Sequence, residues 1–193
     1  MVVDRDRILQ VIGEHLAASS RAIESLSHDS LASVVKSIAE VHGQHGTVWT
    51  IGNGGSSALA NHLALGLSFN ALREGGTAVR AICLSTDAPV LTGLANDFGY
   101  EEVFAQQLAV SARPGDLLIA VSSSGTSSKT LAAAQRAKEM GVNVISFTGT
   151  SRSPLAALSD LAITIENVDP AVSEDAFMAG MHAVYQCFMY FEL

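Results

Sequence analysis

Charge is what this chain has least of. Only 16% of its 193 residues are Asp, Glu, Lys or Arg, against about 25% in an ordinary globular protein. The charge leans acidic, 19 carboxylates to 11 cations for a net −8, which excludes binding driven by neutralising nucleic-acid phosphates. So sparse a charged surface fits a protein partly covered by other subunits. Cysteine is scarce too: Cys83 and Cys187 lie in apolar stretches, provide no disulfide scaffold and suit a reducing cytoplasm. No stretch has the make-up of a membrane span. The nearest, Ala176 to Leu193, contains His182, Gln186 and Glu192 and reads as a buried helix. The start, MVVDRDRILQ, carries charges where a signal peptide needs its apolar core. A soluble, cytoplasmic protein is expected.

Apolar residues are plentiful at 48%, which excludes a disordered chain. Five almost continuously apolar runs, Thr47–Ile51, Val79–Leu84, Leu117–Val121, Val142–Phe147 and Leu161–Ile165, read as strands covered on both faces. Helical patterns at Ser57–Asn70, Glu101–Val110, Ser127–Met140 and Pro154–Leu158 alternate with them. Two more helices, around Arg5–Leu26 and Leu31–His42, precede the first strand, and a long one follows the last. Alternation of this kind predicts an α/β fold, a three-layer domain on a parallel sheet. One domain spans 1–193, with N-terminal helices over 1–45 and the α/β core over 46–193.

Two loops stand where such a sheet binds ligands, at the carboxyl ends of its strands. In Ser122–Ser127, SSSGTS, hydroxyls, the flexible Gly125 and the free N–H groups of a helix start suit a phosphate dianion. Ser124, Thr126 or Ser127 is the helix cap. In Gly52–Ser56, GNGGS, the glycines Gly52, Gly54 and Gly55 allow close backbone approach, while Asn53 and Ser56 supply polar side chains. Absences narrow the ligand. A dinucleotide fingerprint needs a glycine at Ser57 and an acidic residue near Ser85 or Thr86. A Walker loop needs a lysine, which neither loop has, and no Gly-x-Ser-x-Gly elbow occurs. A monophosphate held by dipoles and hydroxyls remains.

GNGGS with His62 six residues on, TDAPVLTGLANDFGYEEVF, and SSSGTS together resemble the SIS (sugar isomerase) family, in its sedoheptulose 7-phosphate (phosphoheptose) isomerase branch. The likeness runs over nearly the whole chain. It implies a five-stranded parallel sheet of flavodoxin-like type, a homotetramer held in part by the N-terminal helices, and active sites at subunit interfaces. It implies that Ser56, Ser122, Ser124 and Ser127 hold the phosphate of a phosphorylated sugar, with Gly54, Ser123 and Thr126 adding contacts. Asn53 and Asp97 then face the sugar hydroxyls, although Asp97 also reads as an exposed helix-capping aspartate.

The chain departs from the family where the chemistry lies. Ketose–aldose isomerisation moves a proton between adjacent carbons and needs a base. The branch places a glutamate four residues after the histidine; here that position is Gly66, and Ser57–Arg73 holds no carboxylate. On the last helix the family's glutamine is Glu174, its histidine is matched by His182, and a preceding aspartate becomes Ala171. Glu174 or His182 is the substitute catalytic group. Several members hold zinc, so His62, His182 and Glu174 form a candidate His₂Glu set. Eight helical residues rise about 12 Å, however, too far for Glu174 and His182 to share an ion from an unbroken helix. Three readings stay open: an isomerase, a phosphosugar sensor without turnover, or a protein-interaction tetramer similar to a replication-initiator-associating SIS protein with a replication or regulatory partner. Of the rest, Trp49 reads as core, Pro114-Gly115-Asp116 as a turn, and His15, His28, His42 and His45 as surface or interface.

Overall fold

The computed structural model describes residues 4–70, 75–166 and 169–190. Its chain order is α1 (Arg5–Glu24), α2 (His28–Gly43), β1 (Val48–Ile51), α3 (Gly55–Leu65), β2 (Ala81–Cys83), α4 (Ala88–Phe98), α5 (Val103–Ser111), β3 (Leu117–Val121), α6 (Ser128–Glu139), β4 (Asn143–Thr148), α7 (Pro154–Leu158), β5 (Leu161–Thr164) and α8 (Pro170–Tyr190). The five strands form one sheet in the order β2-β1-β3-β4-β5, and every pairing is parallel. The expected five-stranded α/β sandwich is what the chain adopts.

Alternating strand residues supply two cores, as a pleated sheet requires. Val48, Leu117, Ile119, Val121, Ile145, Phe147 and Ile163 face α2, α3 and α8. Trp49, Ile51, Leu118, Ala120 and Val144 face α5, α6 and α7. Trp49 is core, as expected, and its indole N–H donates to Asp116 at 2.9 Å. Asp116 also accepts from the N–H groups of Thr47 and Arg113. This carboxylate thereby clamps the starts of β1 and β3, whose far ends lead into the two loops singled out above.

Element ends shift by up to three residues, and three departures stand out. The second strand shrinks from Val79–Leu84 to Ala81–Cys83, as an edge strand paired on one side does. The helix after GNGGS runs as α-helix only to Leu65 and continues as a π turn over Gly66–Asn70. Helix α4 was unforeseen, although its start is well marked: Asp87 accepts from the Val90 N–H and proline stands in the first turn. The last helix begins at Pro170, before Glu174, in an unbroken run.

Helices α3 and α8 lie side by side and run the same way. Glu174 meets Ser56, His182 meets His62 two turns on, and Tyr185 meets Gly66 one turn further. This seam carries every departure from the family pattern named above except Ala171, which sits in the first turn of α8.

Candidate functional site

The carboxyl ends of β1 and β3 open into a cavity of about 260 Å³ lined by Asn53, Ser56, Ser122, Ser123, Ser124, Ser127 and Glu174, with Val121 and Pro170. Both loops face it. Gly52 is obligatory there, because a Cβ would run into the Ser56 and Ser57 backbone. Gly54 adopts φ +56, ψ −126, a conformation open only to glycine. Gly125, at φ +63, packs against Ser153 and Thr148 and holds the serine loop down.

Helix starts give the cavity its electrostatics. Side chains cap α1, α2, α4 and α7: Asp4, Ser27, Asp87 and Ser153 each accept from a first-turn N–H. In α3 and α6 no side chain does this. Of the three candidate caps, Ser127 occupies the position, yet its hydroxyl accepts from Asn53 Nδ2 at 3.3 Å instead. Two helix N-termini thus point uncapped N–H groups and positive dipole ends into one polar hollow. Such a pair attracts an anion without any cation. Asn53 Oδ1 and Ser123 Oγ are buried there without a partner, an expense a native protein sustains where a ligand or ordered water completes the bonding.

Among the described residues Glu174 is the only charged side chain on the cavity wall. Ser56 Oγ donates to its Oε1 at 3.2 Å, and the carboxylate lies so close over Gly55 that a Cβ there would meet it. The same placement takes Glu174 away from the histidines. His62 Nε2 and His182 Nε2 stand 2.8 Å apart, so one ring donates a proton the other accepts. Burial, and then the adjacent His182, push the His62 pKa below its ordinary 6.5, which keeps this imidazole neutral at pH 7.

The expected His₂Glu set is therefore not assembled within the subunit. Among the described residues no three His, Cys, Asp or Glu side chains converge as metal ligands do. The reason is the rise of α8: Glu174 and His182 sit about 12 Å apart along one continuous helix. Two nitrogens fall short of the three protein ligands of a catalytic zinc centre.

Asp97 is also placed elsewhere. It is exposed on α4, accepts from the Asn96 side chain at 2.8 Å, and lines a groove between α4 and α5 rather than the serine cavity. His182 does not line that cavity either; it opens on a cleft shared with Leu16, Ser19 and Asp175. Sequence reasoning missed Thr130, which receives Asn53 Nδ2 at 3.4 Å, and Tyr185, whose ring stands 5.4 Å from His182 and 6.0 Å from His62. Each lies one helical turn from a residue already singled out, a spacing that could have found them.

Residues 13–149 match the family model for the SIS domain. The phosphoheptose isomerase of Helicobacter pylori (strain Shi470) is 35% identical over 90% of this chain and 89% of its own. That of Roseiflexus sp. (strain RS-1) is 32% identical over 92% and 89%. Among solved structures, phosphoheptose isomerase from Neisseria gonorrhoeae superposes with a TM-score of 0.85 at 26% identity, covering 95% of this chain and 97% of that one.

Proposed function

The chain belongs to the SIS domain family, and from that footing we propose that it binds a phosphorylated sugar and interconverts its ketose and aldose forms, as a sedoheptulose 7-phosphate isomerase does. The observation that carries the binding half is the pair of uncapped helix starts converging on one hydroxyl-lined cavity. The phosphate sits against Ser56, Ser122, Ser123, Ser124 and Ser127, and Gly54 supplies backbone at the lip. The sugar extends along the seam between α3 and α8, past Asn53 and Glu174, toward His62 and His182. That reach, about 12 Å, suits an extended heptose phosphate.

Glu174, an acceptor when ionised, orients the sugar hydroxyls. His182 and His62 share one hydrogen bond between their Nε2 atoms; one ring takes the carbon-bound proton while the other serves the neighbouring oxygen. Asp97 reaches a sugar only from another subunit. A cytoplasmic homotetramer completes the proposal, supported by free thiols at Cys83 and Cys187 and by an apolar exposed stripe on α1 within the 1–45 region.

A second reading, binding without turnover, is favoured by Gly66: no carboxylate stands there, and Tyr185 fills the space. In that case the tetramer signals to a replication or regulatory protein. Incubation with sedoheptulose 7-phosphate separates the two. Appearance of the aldose phosphate, lost in His182→Gln with binding retained, supports the isomerase. Saturable binding with no product rejects it in favour of the sensor, which co-purification of such a partner at native levels would support. No thermal shift with any phosphosugar removes both.

A further inference from the structure

At the opposite pole of the sheet, the turns entering β1 and β3 enclose a polar cleft of about 210 Å³. Arg80, just before β2, and Arg113, on the turn into β3, share its wall with Gln44, His45 and Ser111. Among the described residues the ion pairs join His15 to Asp175, Lys36 to Glu40, Arg136 to Glu139 and Lys138 to Asp160. Among the described residues neither guanidinium of the cleft takes part in these pairs.

Among the described residues the one carboxylate lining the cleft is already satisfied. Asp116 is 4% exposed; its Oδ1 accepts from Thr47 N, and its Oδ2 from Trp49 Nε1 and Arg113 N. Two guanidiniums therefore outweigh one committed carboxylate on the wall of this cleft. Guanidinium forks match the paired oxygens of a phosphate or carboxylate. A cleft of about 210 Å³ has room for a phosphate-sized dianion.

We propose that this cleft is a second anion site, in which Arg80 and Arg113 hold a phosphate-sized dianion, free or as the head of a short phosphomonoester. It stands on different residues from the serine cavity and does not depend on the phosphosugar reading. The test is calorimetric titration of the full chain with inorganic phosphate, and in a parallel arm with glycerol phosphate. The Arg80→Gln/Arg113→Gln double variant is expected to lose one phosphate equivalent per subunit, or to bind it at least tenfold more weakly. Weaker glycerol phosphate than inorganic phosphate at this site identifies the free ion as the ligand; the reverse identifies the ester. An unchanged titration overturns the proposal. So does a change in sedimentation with no change in phosphate binding, which would make the cleft a protein contact. If the double variant does not fold, Arg80→Lys keeps the charge and loses the fork. Several-fold weaker phosphate binding is then expected, and unaltered binding overturns the proposal.

Discussion

The ring of Tyr185 occupies the space above Gly66, so that a Cβ added to Gly66 would stand 2.6 Å from the ring's Cγ. The position where the family resemblance implies a glutamate is here closed by an aromatic side chain from the facing helix. Gly66 and Tyr185 are one packing unit, and neither residue can change size alone.

Gly66→Ala is accordingly expected to cost about 1–3 kcal/mol through overpacking, and Gly66→Glu at least as much, with no gain in turnover. Adding Tyr185→Ala should recover part of that loss, because the added atoms then fill the vacated space. Denaturant unfolding of both singles and the double gives the coupling energy. Strict additivity would show that the two residues do not share the space.

Phosphosugar binding is expected to weaken about 10- to 100-fold in Ser124→Ala, the effect of losing a hydrogen bond to a charged group, and about 2- to 10-fold in Asn53→Ala, whose partner is a neutral sugar hydroxyl. The unliganded melting temperature should barely move in Ser124→Ala, since that hydroxyl only bonds within its own loop. Thermal melts with and without sugar phosphate read both quantities. Equal ligand-induced shifts in variant and wild type would remove these residues from the site.

The fold was legible because strands buried on both faces leave long apolar runs, and because Gly- and Ser-rich loops mark strand ends. Leu117–Val121 was placed to the residue. Legibility failed where a tertiary partner decides. Nothing in the sequence around Val79 says that the strand is an edge, and the start of α4 rests on one aspartate cap followed by a proline. In the site, the serine loop, Asn53 and Ser56 line one cavity, and Glu174 lies with them rather than with the histidines. Glu174 as a third ligand beside the histidines fails, because a continuous helix from Pro170 carries it to Ser56. The closing of Gly66 by Tyr185 depends on the side-by-side run of α3 and α8, which no local pattern encodes.

Helix α1 exposes Ile8, Leu9, Val11, Ile12 and Leu16, the last at 63%, while Ser19 and Ala22 turn inward. A monomer rarely leaves so continuous an apolar stripe uncovered. Ile12→Asp combined with Leu16→Asp is expected to convert the proposed tetramer to smaller species. Analytical ultracentrifugation decides; a tetramer that persists would place its contacts elsewhere.

Asp160 ties β4 to the following turn, accepting from Val144 N and from Lys138 Nζ, each at 2.8 Å. Burial alone would raise its pKa, but the hydrogen bonds from Lys138 and Val144 and the lysine charge outweigh it and hold the carboxyl below its ordinary 3.8. The folded state then binds this proton less readily than the unfolded chain. The resulting stability is present above pH 3.8 and disappears as pH falls through the folded pKa. Asp160→Asn should flatten that part of the acid-stability curve. If wild type and variant lose stability in parallel below pH 4, the carboxylate contributes nothing there.

In the proposed isomerase Glu174 and His182 divide the chemistry, and two substitutions tell their roles apart. Glu174 is the cavity's one charge, of the same sign as the phosphate proposed to lie beside it. Two like charges some 4 Å apart repel by about 1 kcal/mol in water and about 4 near a protein surface. Glu174→Gln keeps an oxygen for Ser56 and for a sugar hydroxyl while removing the repulsion, so phosphosugar affinity should rise several-fold with turnover changed less than tenfold. His182→Gln should leave affinity nearly unchanged and lower kcat by about 10²–10⁴, the usual loss when a proton-transfer group is removed. The opposite pattern, turnover abolished by Glu174→Gln and spared by His182→Gln, would transfer the base role to the carboxylate and require the reacting carbons to lie beside Ser56.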